Sequence, residues 1–210
     1  MASSRNERSE KILRTAMRLF HERGFDGVGV DLIGERAGVS GPAIYRYFSS
    51  KDEILATLLD EAIDRVLMST GGQFDDPREE LEHLVRGHVQ RALEERELMS
   101  VWTRTRNSIP KPYRSRLSAR ISRYIDRWVG CLQACYPDQP RDVLTAAVHA
   151  TQGLIDSTAM WPPQSLRVDG LSEIVTGMAL EGLEWLAQGG SAAKTVPKSA
   201  RHKPARDRSA

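Results

Sequence analysis

Apolar positions recur at helical period in nearly every ordered segment, and no alternating strand pattern of useful length interrupts them. Between about Asn6 and Arg23, Ile12, Ala16, Leu19 and Phe20 fall on one face, with Leu13 and Met17 widening it. Gly24 should end this helix, with Phe25 folding back onto Phe20 in a Schellman-type cap. A second, shorter stripe offers Val30, Ile33 and Ala37. Gly34 inside it costs roughly 1 kcal/mol relative to alanine, so another helix is expected to approach closely there. Ile44 and Phe48 complete a small three-helix core.

The join between the second and third helices carries the most information. Gly38 can take the left-handed conformation that ends a helix, and Val39 then points inward. Ser40 can cap a helix opening with Gly41 and Pro42, positions where a missing N–H costs nothing. Two helices joined by a tight, glycine-containing turn form a helix-turn-helix, whose second helix can lie in a DNA major groove. The alternative is a plain helical hairpin. Tyr45, Tyr47 and Lys51 on a common side argue for DNA.

Beyond this unit, Ser50-Lys51-Asp52-Glu53 reads as a capping box in which Ser50 caps and Glu53 reaches back. The helix it opens has an apolar face of Ile54, Leu55, Leu58, Leu59, Ala62, Ile63, Val66 and Leu67, and Gly71-Gly72 stops it. Asp76-Pro77 starts another helix, to about Glu95, and a shorter one spans about Leu98 to Arg106. From Tyr113 to Tyr136 the chain is two-faced: Leu117, Ile121, Tyr124, Ile125, Trp128 and Leu132 lie inward, and Arg116, Arg120, Arg123 and Arg127 line the other side. Helices over about Arg141–Met160 and Leu171–Gln188 follow. The expectation is an all-α chain in three parts: a helix-turn-helix domain over 1–50, an effector-binding and dimerisation domain over 51–190, and a disordered basic tail over 191–210.

Charge is distributed unevenly. The formal net charge is only +2, yet residues 1–51 carry nine Lys/Arg against six Asp/Glu, and residues 52–190 carry 15 against 21. The last twenty residues carry six against one. Basic ends around an acidic middle suggest an anionic partner at one end. No apolar run approaches membrane-spanning length and the N-terminus shows no signal-type apolar stretch, so a cytoplasmic location and no membrane partner are expected. Cys131 and Cys135 have no partners at zinc spacing and read as buried thiols rather than a redox pair.

The stretches ILRTAMRLFHERGF (12–25) and AGVSGPAIYRYFSSKDEIL (37–55) resemble the DNA-binding domain of the tetracycline-repressor (TetR) family of bacterial regulators. The Gly-Val-Ser turn, the Tyr-x-Tyr-Phe ending and the Ser-Lys-Asp/Glu helix start stand at that family's relative spacing, over about Ile12 to Leu55. The resemblance implies that Ser40, Gly41, Pro42 and Ala43 approach bases and backbone, that Tyr45 and Tyr47 bond phosphates, and that Lys51 holds a phosphate at a helix N-terminus. It further implies a homodimer on a palindromic double-stranded operator and a variable C-terminal ligand domain. Two departures stand out. Gly29 occupies the cap where the family usually has Ser or Thr, and Gly-Pro-Ala offers no side-chain donor to a base. Arg46 is then the expected reader of guanine where it faces the groove; otherwise methyl contacts, Tyr45 and DNA shape carry the specificity.

The arginine stripe allows three readings: a solvated outer face, a rim for an anionic effector such as a coenzyme A thioester, or extra DNA contact. Recognition helices with Ser-Gly-Pro-Ala are similar to those of some lipid-catabolism regulators in the family, which points to a thioester or another hydrophobic ligand. Candidate effector contacts are Trp102, Arg106, Arg120, Tyr124 and Trp128. The small residues Ala146, Ala150, Gly153 and Ser157, with Gly182, suggest either internal packing or a dimer face. His83 and His88 are badly spaced for sharing an ion, so no metal and no cofactor are expected. With no nucleophile elbow, phosphate loop or metal-binding histidine motif, an enzyme is disfavoured. The expected function is that of a homodimeric repressor released from DNA by a small molecule; the alternative is a regulator without an effector, controlled by a protein partner.

Overall fold

Phe20 and Phe25 close the first helix as their spacing predicts. Their ring centroids lie 5.1 Å apart, Gly24 takes φ 74°, and its N–H donates to the Phe20 carbonyl at 3.0 Å. The computed structural model describes residues 2–105 and 109–187, with side chains from Glu7 onward; Arg106 and the basic tail fall outside them. The helices are α1 (Ala2–Arg23), α2 (Val30–Ala37), α3 (Gly41–Ile44), α4 (Lys51–Ser69), α5 (Pro77–Glu94), α6 (Arg96–Thr105), α7 (Lys111–Cys135), α8 (Arg141–Asp156) and α9 (Leu171–Glu184). Short 3-10 turns over Ser157–Met160 and Ser165–Arg167 join the last two. No strand interrupts the described residues, and the fold is all-α.

The α2–α3 turn follows the Schellman pattern. Gly38 sits at φ 70°, ψ 34°, its N–H bonds the Glu35 carbonyl, and the Val39 N–H bonds the Gly34 carbonyl at 2.9 Å. The close approach expected at Gly34 is real, but it is made mainly by this turn. A β-carbon there would stand 2.9 Å from the Val39 carbonyl oxygen and 3.3 Å from Ile44 Cδ1. Ser40 occupies the N-cap of α3 without a side-chain capping bond; only its carbonyl serves, accepting from the Ala43 and Ile44 N–H groups. Regular helix ends at Ile44, and the chain reaches Phe48 through tight turns, with both the Tyr47 and Phe48 N–H groups on the Ile44 carbonyl.

At the start of α4, Ser50 accepts from the Glu53 N–H at 3.1 Å as a capping box requires. The return bond lands one residue earlier than expected: Glu53 Oε2 takes both the N–H and the hydroxyl of Ser49, each at 2.5 Å. These two bonds hold the Glu53 carboxyl below the usual carboxylate range. Asp76 caps α5, accepting from the Arg78 N–H at 2.9 Å.

Two apolar cores result. The first joins Ile12, Ala16, Leu19 and Phe20 of α1 to Ile33, Ile44 and the α4 residues Ile54, Leu55, Leu58 and Leu59, and it also takes in Leu98 and Val101 of α6 and Leu117 of α7. The second gathers Leu84, Val85 and Val89 of α5, Trp128 and Leu132 of α7, Val148 and Ile155 of α8, and Val175 and Leu183 of α9. Burying each such side chain contributes about 1.5–3 kcal/mol. Cys131 is buried with its sulfur 3.4 Å from the Pro77 carbonyl, and burial pushes its thiol up to about 12; Cys135 is raised for the same reason. Both thiols are free. Among the described residues no helix is long and apolar enough to cross a membrane.

Candidate nucleic-acid interface and effector cavity

Tyr45 stands out from the helix-turn-helix, 58% exposed, with Pro42 and Arg46 also exposed. Ser40 is exposed beside them, and Ala43 is half-buried. Tyr47 turns back to pack on the first core. Gly41 is dictated by its neighbour: a β-carbon there would come within 2.5 Å of Asp31 Oδ1, so no larger residue fits while that carboxylate stays in place. Lys51 does not point freely outward. Its ammonium donates to the Phe25 carbonyl at 2.8 Å and lies 4.2 Å from the centre of the Phe25 ring, tying the start of α4 to the end of α1.

Behind this domain, α4, α5, α6, α7 and α8 enclose a cavity of about 360 Å³. Leu59, Ala62, Ile63 and Val66 of α4, Leu98, Met99 and Trp102 of α6, and Ile121 and Ile125 of α7 supply its apolar wall. Its size falls in the range of about 300–1,000 Å³ typical of small-molecule pockets. Its polar wall centres on His88, which bonds the Tyr124 hydroxyl through Nδ1 at 3.0 Å and Asp156 Oδ1 through Nε2 at 3.1 Å. A carboxylate can only accept, so Nε2 carries the proton, and in a neutral ring Nδ1 then accepts from the tyrosine. Burial pushes the Tyr124 hydroxyl well above its ordinary pKa, and it stays protonated as donor.

Of the five effector candidates named from sequence, the structure brings Trp102 and Tyr124 to the cavity. Trp128 is fully buried behind it, edge-on to His88 and Tyr124 with ring centroids 5.8 and 6.2 Å away. Arg106 lies outside the described residues. Arg120 does not line the cavity: its guanidinium bonds Asp60 Oδ1 at 3.0 Å and pairs with Asp64. Arg116 pairs with Asp60, and Arg127 with Glu80 at 3.2 Å. Most of the arginine stripe is thus an ion-pair seam holding α7 to α4 and α5, while Arg123 stays exposed to solvent. Sequence reasoning missed His88, Gln152 and Asp156, whose meeting depends on helices 68 residues apart in the chain.

The small residues of α8 (Ala146, Ala150 and Gly153, with Ser157 just beyond it) are exposed; Gly153 also lines the cavity, and a β-carbon on it would meet nothing within 4 Å. Beside them α9 exposes Ile174, Met178 and Trp185, with Gly177 and Gly182 meeting nothing within 4 Å of a notional β-carbon. Ser157 accepts a hydrogen bond from Trp161 Nε1 at 3.2 Å.

The family model of the bacterial regulatory proteins of the tetR family matches residues 12–58, a span that starts in α1 and runs into α4. Residues 12–58 carry a tetR-family DNA-binding domain. A curated relative, the transcriptional activator FasR of Mycolicibacterium smegmatis, is 40% identical over 63 residues, which are 30% of this chain and 29% of that protein. The chain thus aligns with less than a third of that relative's length. Likeness of fold extends much further. The tetR-family regulator PfmR of Thermus thermophilus superimposes with a TM-score of 0.72 at 20% identity, covering 82% of this chain and 97% of that one. AibR, solved in complex with isovaleryl coenzyme A and operator DNA, superimposes with a TM-score of 0.70 at 19% identity over 82% and 96%. The family model covers the helix-turn-helix end, while the likeness to solved structures is one of overall fold.

Proposed function

We propose that this chain is a homodimeric transcriptional repressor of the tetR family, released from a palindromic operator when a small molecule fills the α4–α8 cavity. The observation that carries the reading is the path of α4. Its first residue, Lys51, is bonded to the end of α1, and its middle turns wall the cavity, so a ligand pressing on Ile63 or Val66 acts on the same rigid rod that positions the helix-turn-helix. Ligand binding then favours a tilt of α4 in which the two recognition helices no longer match half-sites about 34–36 Å apart.

In this reading residues 1–50 bind DNA, 51–190 bind effector and dimerise, and 191–210 add salt-sensitive affinity. Ser40, Gly41, Pro42 and Ala43 approach the bases, Arg46 reads guanine, and Tyr45, Tyr47 and Lys51 hold phosphates. Lys51 has two ammonium hydrogens left for this after bonding Phe25. The dimer forms through the exposed face of α8 and α9. The protein acts in the cytoplasm without catalysis. An open, mostly apolar cavity supports control by a small molecule over control by a protein partner.

The test is selection of binding sites from a random duplex pool with the full chain, followed by sizing of the complex. An enriched inverted repeat bound by two chains is expected. Enrichment of no sequence, or of a lone half-site bound by one chain, would overturn the reading.

A further inference from the structure

If the cavity is where the effector acts, as proposed above, its lining also restricts the effector's chemistry. One arginine, Arg91, stands in the wall against two carboxylates, Glu95 and Asp156. That arginine is already committed, pairing with Glu94 and with Glu95 at 3.4 Å, while Arg65 Nε holds Glu95 at 2.6 Å. An entering anion would have to break these pairs or face Asp156, with its own hydration lost. Three arginines of α7, Arg116, Arg120 and Arg127, are spent on Asp60, Asp64 and Glu80.

Among the described lining residues, movable hydrogen-bonding capacity is left at His149, whose ring is exposed to solvent, and deeper in at Gln152. Gln152 lies one turn before Asp156 on α8, lines the cavity, and its Nε2 is closed to water and has no partner among the described residues. Arg91 Nε is likewise unpartnered, but the two glutamates pin its guanidinium. Leaving a buried donor such as the Gln152 amide unmade costs about 1–3 kcal/mol. Rotation about its last side-chain bond is the movement that would turn this amide toward an oxygen in the cavity. The neighbouring His88, Tyr124 and Asp156 are engaged with one another.

We infer that the cavity takes an uncharged, mostly apolar molecule with a carbonyl or hydroxyl oxygen that accepts from Gln152, and that it excludes free carboxylates and phosphate-bearing thioesters. Gln152 is then the residue that determines specificity.

Three probes with the same ten-carbon chain separate the cases: decan-2-one, decanoate and decanoyl coenzyme A. Their binding to the full-length protein is followed by tryptophan fluorescence, since Trp102 lines the cavity, and by calorimetry. The ketone should bind at least about tenfold more tightly than either anion. Gln152→Leu should weaken the ketone about tenfold, the loss of one hydrogen bond. Ile125→Trp, which fills the cavity, should abolish its binding, with thermal melting used to check that each variant folds. Tighter binding of decanoate or the thioester, an unchanged ketone affinity in Gln152→Leu, or no binding of any probe would overturn the inference. A ketone that binds as expected yet leaves the selected duplex occupied would overturn effector control instead and leave this inference standing.

Discussion

Arg120 reaches across from α7 to hold Asp60 of α4 at 3.0 Å, and its second amino group pairs with Asp64 one turn further on. Both Arg120 and Asp60 are largely withdrawn from water, with side chains 18% and 17% exposed. The pair locks the rod that begins at the DNA-binding domain to the helix that walls the cavity.

Breaking this lock should be measurable. Hydrogen bonds between charged groups contribute about 1.5–3 kcal/mol, less where solvent screens them. Asp60→Asn and Arg120→Met should each lower stability by about 1–2 kcal/mol in urea unfolding, and the double variant by less than the sum. Additive losses would mean that the two side chains do not act on each other.

On DNA, Arg46→Ala and Lys51→Gln should behave differently. Loss of a guanine reader relaxes preference at one position, at about 1–3 kcal/mol for the cognate base. Loss of a phosphate contact weakens all sequences alike and reduces the slope of log affinity against log salt by about 0.9. Titrations of the selected duplex and a one-base variant at several salt concentrations distinguish the two. An unchanged slope in Lys51→Gln would show that this ammonium serves only to bind Phe25.

The cap of α4 carries an acid dependence. Glu53 is held below its ordinary pKa by the two Ser49 bonds. A carboxyl whose folded pKa is depressed adds stability that is fully present above its unfolded value, near about 4.3, and is lost as pH falls through the folded value. Melting temperature should therefore drop less between neutral pH and about pH 3 in Glu53→Gln than in the parent. Ser49→Ala should flatten the profile in the same direction. Equal slopes in all three proteins would refute this account of the cap.

Association can be tested on the α9 face. Met178 is 56% exposed and Trp185 52% in the single chain. Met178→Glu should convert a dimer to a monomer in size-exclusion chromatography, leave helical content unchanged, and abolish tight operator binding. A variant that remains dimeric would move the interface elsewhere.

The parts of this fold that could be read from sequence are those set by neighbours within a few residues. The Gly38 turn, the Phe20–Phe25 closure and the Ser50 and Asp76 caps all depend on contacts spanning five residues or fewer. The expected α3 ran past Ile44 because its apolar spacing continues to Phe48, yet the chain tightens into turns there. The arginine stripe shows the limit of periodicity. Its spacing gives the face it occupies, but Asp60 and Asp64 stand 56 or more residues away and no local signal says they lie opposite. The cavity is harder still, since His88, Tyr124 and Asp156 come from three helices and only packing brings them together.

Leu59 and Leu98 each belong to two structures at once, the core of the DNA-binding end and the wall of the cavity. Trimming either to admit a larger ligand would also hollow the core, at about 2–5 kcal/mol for a leucine-to-alanine change. Ile121, Ile125 and Gln152, on the opposite wall, lie outside that core. New ligand ranges should therefore arise first on α7 and α8, where variation is cheap, while the α4 and α6 side stays fixed by the need to keep the DNA-reading end folded.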